Sequence, residues 1–249
     1  MIYRAVLFDL GNTLLEYGLQ GRWREYAQSR LTEMHPLVRE IVGDPGLAAD
    51  EFAARVGEVL GPRARSIQQS GHSWHLADRL REGLADIGLS AQPSALERLV
   101  EEFCSPIRDC TRRYPETLEV LEGLRGAGVR LALISNTYWD APGRMLQPEM
   151  EKWDIARFLD AMVMSGDVPW RKPNPEFMWA AARALGVEPA QCLVVGDSLE
   201  ADIAGARAAG MRSVWVDRDG SPSQGEERAP DLTVRDLRPV LTTVLAGRG

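Results

Sequence analysis

Asp9 closes the short apolar run AVLFD (5–9), and Asp197 closes a second, CLVVGD (192–197), with Asp202 five residues further on. Between these acids, VRLALIS (129–135) ends on Ser135 and is followed by Asn136. Lys172 follows AMVMSG (161–166) inside the stiff stretch KPNP. Carboxylates are hard oxygen ligands for a divalent cation, a lysine is a point positive charge, and a hydroxyl and an amide donate to anionic oxygens. Gathered at one place, this set fits a magnesium-bound phosphate. Each residue taken singly has a plainer reading. Asp9 and Ser135-Asn136 would suit turns, Lys172 a solvated surface, and Asp197 or Asp202 a helix cap.

What links them is where they fall. AVLFD, VRLALIS, AMVMSG, CLVVGD and SVWVD (213–217) read as buried strands, and the stretches between them read as helices ending near glycine. Continuous apolar strands separated by helices predict an α/β fold, a three-layer Rossmann-like parallel sheet covered on both faces. Ligands of open α/β sheets bind at the carboxyl ends of the strands, where Asp9, Ser135, Asn136, Lys172, Asp197 and Asp202 would converge. Residues 17–111 have another texture. Leu76, Leu80, Leu84 and Ile87 recur at helical spacing, as do Leu96, Leu99, Val100 and Phe103, with earlier helices predicted at about 21–42 and 48–60. No strand-like run stands out there. The expected organisation is a core of residues 1–16 and 112–249 with an inserted all-helical unit, 17–111. A polar loop is predicted over 221–231 and a final helix in DLRPVLTTVLAG (236–247).

Bulk properties narrow the function classes. A chain of 249 residues suits one large domain or a core with an insertion, and a net charge of −7 argues against a general nucleic-acid binder. A small anionic substrate stays compatible, because it feels the local field of a cleft. Cys104, Cys110 and Cys192 are odd in number and lack metal-ligand spacing, so they read as reduced thiols. With no signal-like segment and no membrane span, the expected location is cytoplasmic. The absence of GxxxxGK[ST] excludes a phosphate-loop nucleotide hydrolase.

Four stretches in order, FDLGNTL, LISNT, WRKPNPEFM and GDSLEADIAGARAAGM, resemble the motifs of the haloacid dehalogenase-like hydrolase superfamily. The insertion after the first strand sits where that family places its helical type-1 cap. The resemblance implies a phosphatase-type enzyme acting on a small phosphorylated substrate. Asp9 would be the nucleophile that becomes an aspartyl phosphate. Mg²⁺ would be held by Asp9, the backbone carbonyl of Gly11 and Asp197, with Asp202 fixing a metal water or orienting the ligands. Ser135, Asn136, Lys172 and Asn12 would serve the substrate, with Ser135 and Lys172 also acting in catalysis.

The sequence departs from the pattern at Gly11, where most phosphatases of this family carry a second aspartate as acid and base. Glycine keeps a backbone carbonyl for the metal but supplies no proton, and that role is typically worth about 10²–10⁴-fold. Three outcomes are open: Glu16, His72 or His75 stands in; the substrate has a leaving group that needs no acid; or turnover is lost. Otherwise His72 and His75 read as surface histidines, and Trp23 and Trp74 as core residues or as walls for an apolar part of the substrate. The rivals are a 2-haloacid dehalogenase, a phosphomutase, and a non-catalytic relative that binds a phosphorylated metabolite or a protein. The acid Asp197 speaks against the first and Gly11 against the second.

Overall fold

The apolar runs that end on the candidate residues pair into one parallel sheet in the computed structural model, which describes residues 3–19, 21–61, 71–220 and 229–246. Its strands are β1 (Ala5–Phe8), β4 (Arg130–Ser135), β5 (Ala161–Met164), β6 (Cys192–Gly196), β7 (Arg212–Val216) and β8 (Leu232–Val234), in the order β5-β4-β1-β6-β7-β8. Two further strands, β2 (Leu15–Tyr17) and β3 (Thr111–Arg113), form a separate antiparallel ribbon. β1 is central: Phe8 lies opposite Leu133 of β4 and Val195 of β6, so Asp9 emerges between the ends of those two strands. The loop after β6 and the loop after β4 therefore flank Asp9 on its two sides.

Two side-chain sets, alternating along the strands, explain why these runs are apolar throughout. Val6, Phe8, Leu131, Leu133, Leu193 and Val195 share one buried cluster. Ala5, Leu7, Ala132, Ile134, Cys192 and Val194 share the other.

The inserted region contains α1 (Trp23–Ile41), α2 (Ala49–Leu60), α3 (Leu76–Ala85) and α4 (Pro93–Cys104), close to the expected bounds. Leu76, Leu80, Leu84, Leu96, Leu99, Val100 and Phe103 are buried in a core of its own, as their spacing predicts. In the remainder of the chain, α5 (Thr117–Gly126) and α9 (Arg238–Ala246) cover the first face of the sheet. A short α6 (Gln147–Lys152) lies beside them, and α7 (Pro175–Leu185) and α8 (Ala204–Ala208) cover the second.

The structure differs from expectation at three places. The chain leaves the core on β2 and returns on β3, so the ribbon straddles both expected boundaries, 16/17 and 111/112. β8 lies just past the stretch read as a polar loop, of which residues 221–228 fall outside the described residues. α6 lies in a segment for which the sequence suggested no element. Strands of three residues carry too little alternation to register, and α6 is a six-residue helix.

Candidate active site

Lys172 reaches the end of β1 because of the residues behind it. Pro175 opens α7 and Asn174 caps it, accepting from the Glu176 amide at 3.0 Å, so the helix begins three residues after the lysine. The two side-chain atoms of Asn136 grip the Lys172 backbone, donating to its carbonyl at 3.0 Å and accepting from its amide at 2.9 Å. So held, Lys172 Nζ donates to Asp9 Oδ1 at 2.5 Å, to Asp202 Oδ1 at 2.7 Å and to the Ile134 carbonyl at 3.1 Å. Asp9, Asp197 and Asp202 each offer a carboxylate oxygen within 4.8 Å of the others. The acids at both ends of the sequence and the lysine between them thus meet at one point.

Asp202 is placed by a wide π-helical turn, Leu199–Ile203, which follows the Ser198 cap. Its second oxygen accepts from the Ser198 amide at 3.0 Å. A Cβ on Gly196 would collide with this carboxylate, so β6 must end on glycine for the acid to fold back over it. Both Asp202 oxygens are engaged by protein donors. These contacts hold the Lys172 ammonium and the start of the loop that follows Asp197.

Asp9, Lys172 and Asp202 are only 7%, 3% and 1% exposed, so water does little to screen them. Burial pushes the Asp9 carboxyl up to about 7; Lys172 opposes the shift, and Asp202 and Asp197 add to it. Asp197 is likewise pushed up to about 6 by burial and by Asp202, against its hydrogen bond from Asn12 and the charge of Lys172. Burial pulls the lysine down, but Asp202 and Asp9 outweigh it and hold its ammonium above the ordinary value. Three carboxylates therefore share a single lysine. This surplus of buried negative charge on hard oxygens fits a divalent cation.

The other expected residues are near, though not all face the cavity in the expected way. Ser135, Asn136, Gly11 and Asn12 line the same cavity as the acids. Asn136 uses its amide on Lys172, as above. Asn12 adopts a left-handed backbone, φ 55°, which asparagine tolerates, and donates to Asp197 Oδ2 at 3.2 Å. Gly11 has no backbone need for glycine, since its φ lies outside the left-handed region. The ring of Tyr17 stands 3.4 Å from where its Cβ would be.

Several residues were not singled out by sequence reasoning. Thr13 donates to Asp9 Oδ2 at 3.3 Å. Arg218, just beyond β7, donates to the carbonyls of Asn12 at 3.2 Å and Thr13 at 2.9 Å and to Glu116 at 2.9 Å, with its guanidinium 3.4 Å from the Tyr114 ring centre. A cavity of about 650 Å³ rises from Asp9 and Lys172 to Tyr138, Trp139 and Arg171 of the core and Tyr17 of β2, with α1 and α2 opposite. Trp23 lines this cavity while packing against the buried cluster on the first face of the sheet; Trp74 is half-buried beneath Arg79 and is not among the described lining residues. Neither Glu16, exposed on β2, nor His72 nor His75 is among them. The histidines do not share a helix face: His72 pairs with Trp170 before α3 begins, and His75 precedes its first turn. A threonine and a distant arginine have no spacing that marks them, which is why periodicity missed them.

All three cysteines are free, and burial pushes the thiols of Cys104 and Cys192 up to about 12. No helix among the described residues is long and apolar enough to cross a membrane.

Comparison with known proteins agrees with this geometry. Residues 3–210 match the family model for haloacid dehalogenase-like hydrolase. A phosphoserine phosphatase of Thermus thermophilus is 36% identical over 96% of this chain and 91% of its own. A glyceraldehyde 3-phosphate phosphatase of Methanopyrus kandleri is 27% identical over 97% of each chain. Among solved structures, a HAD phosphatase from Thermococcus onnurineus superposes with a TM-score of 0.63 at 25% identity, covering 97% of both chains. A 2-haloacid dehalogenase from Pseudomonas syringae pv. Tomato reaches 0.69 at 22% identity over the whole of both, a likeness of fold. With strand order, inserted helices and family match in agreement, the chain belongs to the haloacid dehalogenase-like hydrolases.

Proposed function

We propose that this hydrolase is a Mg²⁺-dependent phosphatase of a small phosphorylated metabolite, working through an aspartyl phosphate on Asp9. The observation that carries the reading is the meeting of Asp9, Asp197 and Asp202 within 4.8 Å of one another at the Lys172 ammonium. Asp9, Asp197 and the Gly11 carbonyl would hold the ion, which lets an anionic carboxylate and an anionic phosphoryl group approach each other. Lys172 and Thr13 each take one oxygen of the Asp9 carboxylate, setting its orientation before substrate arrives. Lys172 also neutralises charge on the transferring group, to which Ser135 donates from the end of β4. Asp202 and Asn136 act on substrate through Lys172, and Asn12 acts through Asp197. The helical unit, taken as residues 17–111, closes over this floor as a cap and excludes water.

Position 11 supplies no proton, and none of the expected stand-ins borders the cavity among its described lining residues. The nearest ring is also unsuitable. Tyr17 donates its hydroxyl to Glu149 at 2.7 Å, and burial with that carboxylate holds the phenol well above its ordinary value. We take the leaving group of the substrate to be one that departs without an acid.

The test is release of p-nitrophenol from p-nitrophenyl phosphate with and without Mg²⁺, by the parent and by Asp9→Asn. Magnesium-dependent release that vanishes in the variant is expected. Release that survives Asp9→Asn, or none at all, would sink the proposal.

A further inference from the structure

We propose that the cavity above Asp9 contains an aromatic-recognition subsite, so that the leaving group of the substrate carries a planar, apolar ring. This deepens the phosphatase reading and rests on it. The cavity of about 650 Å³ is well within the range of ligand sites, about 300–1,000 Å³. Its two ends differ in chemistry. The floor is the buried cluster of acids and lysine; above it lie Tyr138 and Trp139 of the core, Tyr17 of β2 and Trp23 of α1.

The orientation of these rings makes the case. The Tyr17 and Tyr138 hydroxyls donate to the two oxygens of Glu149 at 2.7 and 2.6 Å. Glu149 is fully buried and is not among the described lining residues, so both phenols spend their polar ends inside the protein. Trp139 commits its indole N–H to the Leu60 carbonyl at 3.1 Å. Their polar handles thus used, the three side chains offer the cavity ring carbon and few hydrogen-bonding groups. A polyhydroxylated or acidic leaving group would lose water there and gain no partner. A flat apolar ring would instead be met by π-faces and edges already set for it.

The wall is also pre-built. Trp23 stacks on Tyr138 with ring centres 6.3 Å apart and planes at 25°, and meets Trp139 edge-on at 5.7 Å. Side chains that lock one another lose little freedom when a ligand arrives. Trp23 belongs to the inserted helices, Tyr138 and Trp139 to the core, and Tyr17 to β2 at the boundary between them, so the subsite exists only when the two parts are apposed. Beyond the rings, the exposed residues Arg24, Gln28 and Glu58 form the rim, where a polar substituent can stay hydrated.

The experiment separates ring recognition from leaving-group acidity by comparing phenyl phosphate with hexafluoroisopropyl phosphate, whose leaving groups are of similar acidity and can depart without an acid. With Mg²⁺ present, kcat/KM should favour the phenyl ester on the order of tenfold. Calorimetry with benzylphosphonate and methylphosphonate, neither of which can be hydrolysed, should show a similar ratio in Kd. Trp23→Ala should bring both ratios towards one, while Trp23→Phe should keep most of the preference. No benzyl preference in binding, or no binding of either phosphonate, overturns the subsite. Turnover of neither ester with the phosphonate preference intact would overturn the phosphatase reading alone.

Discussion

The guanidinium of Arg79, in the inserted helices, lies 2.9 Å from the carboxylate of Asp140, in the core, and neither side chain has any solvent exposure. Arg171, the residue before the site lysine, donates to both oxygens of the same carboxylate at 2.9 and 2.8 Å, and Ser165 donates to one at 2.6 Å. Burial pulls the Arg79 guanidinium down to about 10 against the opposing pull of Asp140. The buried junction between cap and core therefore contains an ion pair, and this pair is tied directly to the loop that carries Lys172.

Removing Asp140 takes the shared counter-charge from two arginines at once, one of them fully buried. Asp140→Ala should cost about 3–5 kcal/mol of unfolding free energy. Urea denaturation measures it; a loss near zero would mean that the pair does not survive in solution.

Removal of a metal-facing carboxylate should be seen without any turnover. Mg²⁺ is expected to raise the melting temperature of the parent, since an ion that binds only the folded state stabilises it by mass action. Asp197→Asn should lose most of that increment, because an amide is a poor substitute for an anionic ligand. Equal Mg²⁺ stabilisation of both proteins would remove Asp197 from the ion's surroundings.

The lack of side-chain chemistry at Gly11 predicts how rate follows leaving group. Across a series of substituted phenyl phosphates, kcat/KM should rise steeply as the phenol becomes more acidic. Without a proton donor, the departing oxygen carries its developing charge alone. A flat series would show that some group supplies the proton after all.

Arg218 is expected to position the loop after β1 without touching substrate. It spans the carbonyls of Asn12 and Thr13 and the Glu116 carboxylate, and Asn12 in turn bonds Asp197. Arg218→Lys should lower kcat by roughly tenfold to a hundredfold with little change in KM, since one ammonium cannot bridge the set. A variant with parental kcat would show that the loop holds its shape unaided.

Glu149 gives stability a pH dependence of known sign. Burial lifts its carboxyl above the ordinary 4.5, against the hydrogen bonds from Tyr138 and Tyr17. The folded state then holds this proton more tightly than the unfolded chain. The associated stability is complete below 4.5 and is lost as pH rises through the folded value. Glu149→Gln has no such proton, so its stability relative to the parent should improve from acid pH towards neutrality. Parallel pH profiles from urea titrations of the two proteins would refute this.

The sequence alone determined the layered α/β core, the helical insertion and the six polar residues at strand ends. Long apolar runs, helical leucine spacing and turn residues are local properties, and the chain obeys them locally. It also showed that position 11 has no side chain to offer. Only the tertiary structure decided what surrounds each of those residues. Asn136 and Asn12 turn to hold Lys172 and Asp197, Asp202 folds over Gly196, and Arg218 clamps a loop far from it in the chain. The four rings above Asp9 come from the β2 ribbon, α1 and the loop after β4, and no spacing in the chain relates them. The reason is physical: burial, hydrogen-bond partners and cavity walls come from segments distant in sequence, and side-chain chemistry is set by whatever packing brings alongside.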